Sequence, residues 1–178
     1  MIEPFSERVA GPGIVSYGLQ PCGYDARLAP EAQIFEWARA QGAVLDPLDV
    51  NPALYFDRTV NLFIMLPPRG YMVGLTVEYF RIPRNCTARG VSKTTYSSVG
   101  VNLDVASINP GWEGRLRLHL SNPGPIPIKI YGGMGIIYLE FHEIDGGVEC
   151  DYSELAHTRF QKQTEAFARH SALAQAAA

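Results

Sequence analysis

The chain has 178 residues, of which 47% are hydrophobic and 19% charged, and its formal net charge is −3. This length and composition are typical of one globular domain, and they provide no positive balance for binding nucleic acid. The longest apolar window, LFIMLPP at 62–68, is far too short to be a transmembrane helix. We therefore expect neither a nucleic-acid partner nor a membrane partner.

The first half of the chain contains one ambiguous segment and two predicted strands. Residues 31–41 (EAQIFEWARAQ) have a helix-like composition but lie between Pro30 and Gly42, so helix and strand both remain open. Residues 59–66 and 71–80 are predicted strands on either side of a Pro-Pro-Arg-Gly turn.

The second half continues with short strands. Apolar and polar residues alternate along the segments 99–106, 114–121, 126–131 and 135–142. The glycine-rich GGMG at 132–135 is predicted to be a hairpin turn and not a phosphate loop. A spacing of about eight to twelve residues between such strands predicts an all-β sandwich or barrel.

The end of the chain has a different composition. EAFARHSALAQAAA at 165–178 has high helix propensity and no β-pattern. We therefore divide the chain into one domain, residues 1–163, and a helix-prone C-terminal tail, residues 164–178.

The cysteines and histidines argue against a metal centre. The three cysteines are widely separated in sequence, and this odd number predicts reduced thiols and a cytoplasmic location. Neither they nor the four histidines have the spacing of zinc ligands. We expect no zinc.

The stretch GWEGRLRLHLSN at 111–122 has the most informative pattern. Three leucines alternate with Arg115, Arg117 and His119, so one face of the strand is apolar and the other basic. A basic pocket for a polyanion is one interpretation. The alternative is that the arginines contact solvent or acidic groups of a neighbouring subunit.

Four stretches together resemble the dCTP deaminase branch of the dUTPase superfamily. They are IEPF (2–5) followed by CGYDARLAP (22–30), LPPRGYMVGLTVEYFRIPRN (66–85), SKTTYSSVGVNLDVASINPGWEGRLRLHLSN (92–122) and RFQKQ (159–163). The resemblance implies a distorted β-barrel or jelly roll with short helical pieces, assembled as a homotrimer with sites between subunits. It also implies pyrimidine deoxynucleoside triphosphate substrates, with Mg²⁺ held by the triphosphate and no zinc.

The resemblance assigns roles to individual residues, and three of them depart from the family pattern. Ser98 stands where the family has arginine, Asn109 where it has aspartate, and His119 where it has the catalytic glutamate. A carboxylate is a pure acceptor that suits proton removal from water, whereas imidazole carries no negative charge. Loss of one preorganised catalytic group commonly costs ~10² to 10³ in rate.

The remaining positions fit the family better. Lys93 matches its basic loop residue, and Thr94 keeps the hydroxyl of its serine. We predict His119, Thr94 and Asp104 as catalytic residues, with Asp104 a possible replacement for the lost base. Predicted ligand-binding residues, mainly phosphate contacts, are Lys93, Ser98, Asn109, Arg117, Arg159, Phe160 and Gln163.

Three functions stay open on sequence alone. The first is an enzyme acting on dCTP, dUTP or a modified analogue by deamination or diphosphate release. The second is a non-catalytic nucleotide-binding or regulatory protein on the same fold. The third is a structural or interaction protein, because fold does not dictate function.

Overall fold

The structure, a computed structural model, describes residues 1–35, 42–47, 51–59, 62–156, 158 and 160–166. Within these ranges the chain is built almost wholly of strands, which confirms the all-β prediction. The strands are β1 (Ile2–Glu3), β2 (Val9–Gly11), β3 (Ile14–Gln20), β4 (Gly23–Phe35), β5 (Tyr55–Thr59), β6 (Phe63–Leu66), β7 (Tyr71–Arg81), β8 (Cys86–Ser92), β9 (Asn102–Val105), β10 (Glu113–Ser121), β11 (Ile128–Tyr131) and β12 (Gly135–Glu143).

Helical structure in the described ranges is limited to two short pieces. They are a 3-10 turn at Pro52–Leu54 and a single helical turn, α1 (Thr94–Ser97). Neither is long or apolar enough to cross a membrane. Of the helix-prone tail 164–178, residues 164–166 are described and are not helical, whereas 167–178 lie outside the described residues.

The main sheet is antiparallel and runs in the order β2-β3-β4-β7-β10-β9. β12 joins β4 to β8, while β1 pairs with β7 and β5 pairs with β4. β6 and β11 form a separate two-stranded sheet. The sheets enclose one apolar core. In the main sheet, β10 lies between β7 and β9.

Several predicted strands are confirmed with small changes of boundary. Residues 71–80 and 114–121 lie within β7 and β10, and 135–142 lies within β12. Residues 31–35 belong to β4, which settles the strand alternative for that part, while 36–41 lie outside the described residues.

Two predictions were wrong. Of the predicted strand 59–66, Thr59 ends β5 and residues 63–66 form β6, and these two strands belong to different sheets, while 60–61 lie outside the described residues. The turn at 132–134 does not close a hairpin, because β11 pairs with β6 whereas β12 pairs with β4 and β8. In both cases the local pattern does not show which strands pair, because the partners lie far away in sequence.

The apolar face of β10 packs into the core as its alternation predicts. Leu116, Leu118 and Leu120 are buried, and the residues between them are half-buried on the opposite face. A register shift interrupts the pairing with β7, because Arg115 lies opposite Tyr79 but Arg117 lies opposite Leu75.

The Thr76 side chain forms hydrogen bonds with backbone groups at this irregularity in the β7–β10 ladder. Its buried hydroxyl accepts a hydrogen bond from the Leu116 N–H at 3.0 Å and donates to the Glu78 carbonyl at 2.7 Å. The two backbone groups would otherwise be buried without a partner at the shift. Thr76 thus stabilises the register that places Arg117 and His119.

We predict that Thr76→Val, which removes the hydroxyl but keeps the shape, lowers the free energy of unfolding by about 1–3 kcal/mol. Denaturant unfolding measures this change. Thr59→Val, at an exposed position of β5, is the matched control and is expected to have little effect. Equal stability of the two variants would contradict the role of Thr76.

Candidate functional site

His119 lies on the outer face of β10, between two neighbouring strands. In the ladders it stands opposite Val73 of β7 and opposite Asp104 of β9. Directly opposite residues of an antiparallel pair project to the same face of the sheet. The structure therefore brings together two residues that the sequence predicts as catalytic, His119 and Asp104.

Asp104 faces solvent beside the histidine. Its carboxylate accepts a hydrogen bond from the Val105 N–H at 2.9 Å. Its negative charge favours the protonated form of His119, so it partly opposes the effect of burial on that ring.

Tyr71 is the closest side-chain partner of His119. The phenolic oxygen lies 2.6 Å from His119 Nδ1, and the two rings stack with their centroids 6.1 Å apart and their planes 17° apart. Tyr71 begins β7 and pairs with Ser121, so it is the diagonal neighbour of His119 in the ladder. Sequence analysis missed this residue.

The protonation states at this group follow from burial and from neighbouring charges. Burial lowers the pKa of His119, and the adjacent Arg117 cation lowers it further. Burial raises the pKa of Tyr71 to about 12. At neutral pH the imidazole is therefore neutral and the phenol keeps its proton. Burial also lowers the pKa of Arg117, but an arginine side chain stays charged in proteins.

His119 and Arg117 open onto a cavity of about 280 Å³. The side chains that give the cavity its chemical character are polar or aromatic: Asn109, Arg117, His119, Gln163, Trp112, Tyr152 and Phe160. No carboxylate occurs among the described residues that line it. A cation, amides and aromatic rings in one concave site suit an anionic ligand with a flat ring.

The C-terminal segment forms one wall of the cavity. Residues 161–163 run beside the start of β10, where Lys162 N–H donates to the Glu113 carbonyl and Arg115 N–H donates to the Gln163 carbonyl, both at 2.8 Å. The Trp112 indole N–H donates to the Phe160 carbonyl at 2.8 Å. These bonds hold the segment against the first residues of β10, which do not pair with β9.

This docking positions two predicted residues. The Arg117 guanidinium lies over the Phe160 ring, 5.3 Å from its centroid. Gln163 also lines the cavity, and its amide nitrogen donates to the Arg115 carbonyl at 3.3 Å. Asn109 lines the cavity as well, whereas Arg159 lies outside the described residues.

Lys93 and Thr94 do not line the His119 cavity. They line a second cavity, of about 500 Å³, that does not include His119. Lys93 Nζ is 2.6 Å from the carboxylate of Asp25 and 3.1 Å from the hydroxyl of Ser16. This ion pair is almost fully buried, and burial raises the pKa of Asp25 while Lys93 opposes the rise.

Ser98 is exposed at the end of α1, where its N–H donates to the Thr94 carbonyl at 2.8 Å. It lines neither cavity. Within one chain the predicted residues are thus divided. Asn109, Arg117, His119, Phe160 and Gln163 form one group, and Lys93 and Thr94 form another. Their roles stay predictions.

No group of three or more His, Cys, Asp or Glu side chains that could hold a metal ion occurs in the described part of the chain. The three cysteines are all unbridged. The described side chains that line the His119 cavity are neutral polar, aromatic and aliphatic groups and one arginine cation, and the Asp104 carboxylate lies opposite His119 on β9.

A family model described as dCTP deaminase-like matches residues 5–144. The chain belongs to this family. It is 41% identical to a dCTP deaminase of Granulibacter bethesdensis, over 88% of this chain and 83% of the relative. It is 39% identical to a dCTP deaminase of Novosphingobium aromaticivorans over the same shares of the two chains. The resemblance found in the sequence is thereby confirmed.

One solved structure supports the fold alone. It is the 2'-deoxycytidine 5'-triphosphate deaminase from Agrobacterium tumefaciens, with a TM-score of 0.55 and 16% identity. The match covers 69% of this chain but only 38% of that protein. It is consistent with the dUTPase-like β fold that the sequence predicts for this member of the dCTP deaminase-like family.

We predict that His119 makes the protein less stable as the pH falls. Because the pKa of His119 is lower in the folded chain, the unfolded chain binds a proton first as the pH drops below about 6.5. Relative to His119→Gln, the wild type should lose at most about 1.4 kcal/mol per pH unit below that value. Denaturant unfolding of both proteins across the pH range measures the difference, and a relative gain for the wild type on acidification would contradict it.

We also predict that Trp112→Phe loosens the C-terminal segment. Loss of the indole N–H removes one hydrogen bond, or about 0.5–1.5 kcal/mol, which corresponds to a roughly two- to tenfold increase in local opening. Hydrogen exchange at the Lys162 and Arg115 amides should speed up by that factor. The Leu139 amide in β12 is the internal control, and equal acceleration there would indicate global destabilisation instead.

Proposed function

We propose that this chain binds a pyrimidine deoxynucleoside triphosphate in the His119 cavity and hydrolyses it with an altered set of catalytic residues. The reaction would be deamination or diphosphate release, within pyrimidine deoxynucleotide metabolism. The observation that carries the proposal is the convergence of Arg117, His119 and Phe160 on one cavity beside β10. This strand is the one that resembles the family's active-site strand.

The cavity offers a contact for each part of such a ligand. Arg117 supplies a fixed positive charge for an anionic group. Phe160 and Trp112 supply aromatic faces beside it, against which a planar base can pack. Asn109 and Gln163 add amide groups that can donate or accept hydrogen bonds.

Hydrolysis also requires a base that takes a proton from water. His119 is neutral at pH 7 because its lowered pKa keeps the ring unprotonated, so it is available for this role. Asp104, directly opposite, is the alternative base. Thr94 would contribute its hydroxyl only if it reached the same ligand.

A trimer would bring the separated residues together. Lys93 and Thr94 line a different cavity from His119 in the single chain. We propose that sites form between subunits of a homotrimer, with Lys93 and Thr94 supplied by a neighbouring copy. Lys93 is held by Asp25, so it would contact phosphate only by sharing or leaving that ion pair.

Mg²⁺ would enter with the nucleotide. The cavity provides amide oxygens from Asn109 and Gln163 but no lining carboxylate among the described residues, so phosphate oxygens would be the anionic ligands. The ion would neutralise phosphate charge.

We also propose that the protein is located in the cytoplasm, where unbridged thiols such as its three cysteines persist.

A second candidate function is nucleotide binding without turnover. It is favoured by the short contact between Tyr71 and His119, which occupies one ring nitrogen of the proposed base. A protein of this kind would be a nucleotide sensor that keeps the pocket and has lost the reaction.

We predict that a pyrimidine deoxynucleoside triphosphate raises the melting temperature of the protein, and that Arg117→Gln abolishes this shift. The physical reason is that ligand binding to the native state alone stabilises it. Thermal shift and mass spectrometry on the same samples, with Mg²⁺ and dCTP, dUTP or dTTP, measure binding and product. If His119 is the base, product formation should vanish in His119→Ala.

Arg115→Gln is the matched control, because Arg115 lies on the same face of β10 but does not line the cavity. It should leave the shift in place. Binding with conversion supports the enzyme, and binding with unchanged nucleotide supports the sensor. Absence of any shift with every nucleotide would overturn both.

A further inference from the structure

The ion pair between Lys93 and Asp25 is held by separate parts of the fold. Lys93 follows β8, Asp25 lies in β4, and Ser16 lies in β3. Lys93 Nζ is 2.6 Å from the Asp25 carboxylate, as short as a charge-assisted hydrogen bond, and 3.1 Å from the Ser16 hydroxyl. Only 11% of the Lys93 side chain and 4% of the Asp25 side chain are exposed. Each buried charge therefore depends on the other for compensation.

The second cavity combines groups that attract an anion with one group that repels it. Asp25 is the one carboxylate among the described residues that line this cavity. Besides the Lys93 ammonium, the lining contains five hydroxyl groups, those of Ser16, Ser92, Thr94, Thr95 and Tyr138. Ammonium and hydroxyl groups donate hydrogen bonds to phosphate oxygens, whereas a carboxylate only accepts. The cavity thus suits an anion in every lining polar group except Asp25 and the Gln20 amide oxygen.

The Lys93 ammonium retains one donor. An ammonium has three N–H donors, and among the described residues Asp25 and Ser16 use two of them. The third is available to an anion that enters the cavity. Burial raises the pKa of Asp25, while hydrogen bonds from Lys93 and Ser16 and the charge of Arg8 oppose the rise. The carboxylate is thus an ion whose burial its neighbours only partly compensate.

We infer that Asp25 is an internal counter-ion that competes with the phosphate of a ligand for Lys93, so that the carboxylate and the phosphate are alternative partners of one ammonium. This inference rests on the proposed function, in which the anion is the triphosphate of the nucleotide. Asp25 positions Lys93 while the cavity is empty. It weakens phosphate binding when the cavity is filled, because two anions then lie beside one cation and repel each other. Asp25 therefore limits the affinity of the site.

Asp25→Asn separates the charge of this side chain from its position. The amide keeps an oxygen that can accept a hydrogen bond from Lys93, but it carries no charge. Titration calorimetry with inorganic tripolyphosphate, at neutral pH and without Mg²⁺, measures the affinity for the anion. Asp25→Asn should bind tripolyphosphate at least about tenfold more tightly than the wild type, because the repulsion is removed. An affinity equal to or below that of the wild type overturns the inference.

Two further variants show whether the gain depends on Lys93. Asp57→Asn removes the same charge at an exposed position of β5 and is the matched control, which should bind within about twofold of the wild type because exposed charges are screened. The double variant Asp25→Asn/Lys93→Met lacks the ammonium and should lose the gain. A gain that also occurs in Asp57→Asn, or that persists in the double variant, overturns the inference.

Thermal stability tests whether the two anions replace one another. Asp25→Asn leaves the buried Lys93 charge without its counter-charge, so the free variant should melt at a lower temperature than the wild type. Tripolyphosphate should raise the melting temperature of the variant by more than that of the wild type, because it replaces the missing carboxylate. A variant that fails to fold even with tripolyphosphate present overturns the exchange of the two anions.

Titration with dCTP and dUTP separates this inference from the proposed function. If Asp25→Asn shows the gain with tripolyphosphate but neither nucleotide binds, the proposed function is overturned and the role of Asp25 stands. If a nucleotide binds the wild type and Asp25→Asn with equal affinity, the role of Asp25 is overturned and the proposed function stands.

Discussion

The antiparallel pairing of β10 with β7 is the constraint on which the rest of the site depends. It buries three leucines on one face and leaves Arg117 and His119 on the other. The same pairing brings Tyr71 diagonally against His119, and β9 adds Asp104 on the opposite side. Because side chains alternate strictly along a strand, a slip of β10 by one residue would turn Arg117 and His119 towards the core. The buried Thr76 hydroxyl, at the one irregular point of the ladder, therefore matters for the chemistry as well as for stability.

The alternation along β10 was readable from sequence because it is a local property with a period of two. The residues that contact His119 could not be read from the sequence. Tyr71 lies 48 residues away, and its contact depends on which strands pair and in which register. Long-range pairing of this kind leaves no local signal. The same limit explains the two wrong predictions, since the split of 59–66 into β5 and β6 and the open turn at 132–134 are both decisions about partners.

The family resemblance supplied candidate residues that composition and spacing alone would not have identified. It did not reveal their surroundings. Lys93 has the residue type expected of a phosphate contact, yet it lies in a nearly buried ion pair with Asp25. Removing either charge alone would leave the other buried without its counter-charge. Position in a motif thus specifies the chemical type of a side chain, whereas the three-dimensional contacts decide what that side chain is free to do.

The docked segment 161–163 connects the cavity to the end of the chain. Phe160, next to it, lies against Arg117 in the cavity wall, while Lys162 and Gln163 form backbone hydrogen bonds with β10. Occupancy of the cavity and docking of the segment are therefore thermodynamically linked for any ligand that touches Phe160. The coupling is reciprocal, so a segment held more firmly tightens ligand binding by the same factor by which the ligand secures the segment. The affinity of the site then depends in part on the backbone hydrogen bonds that dock residues 162 and 163 on β10.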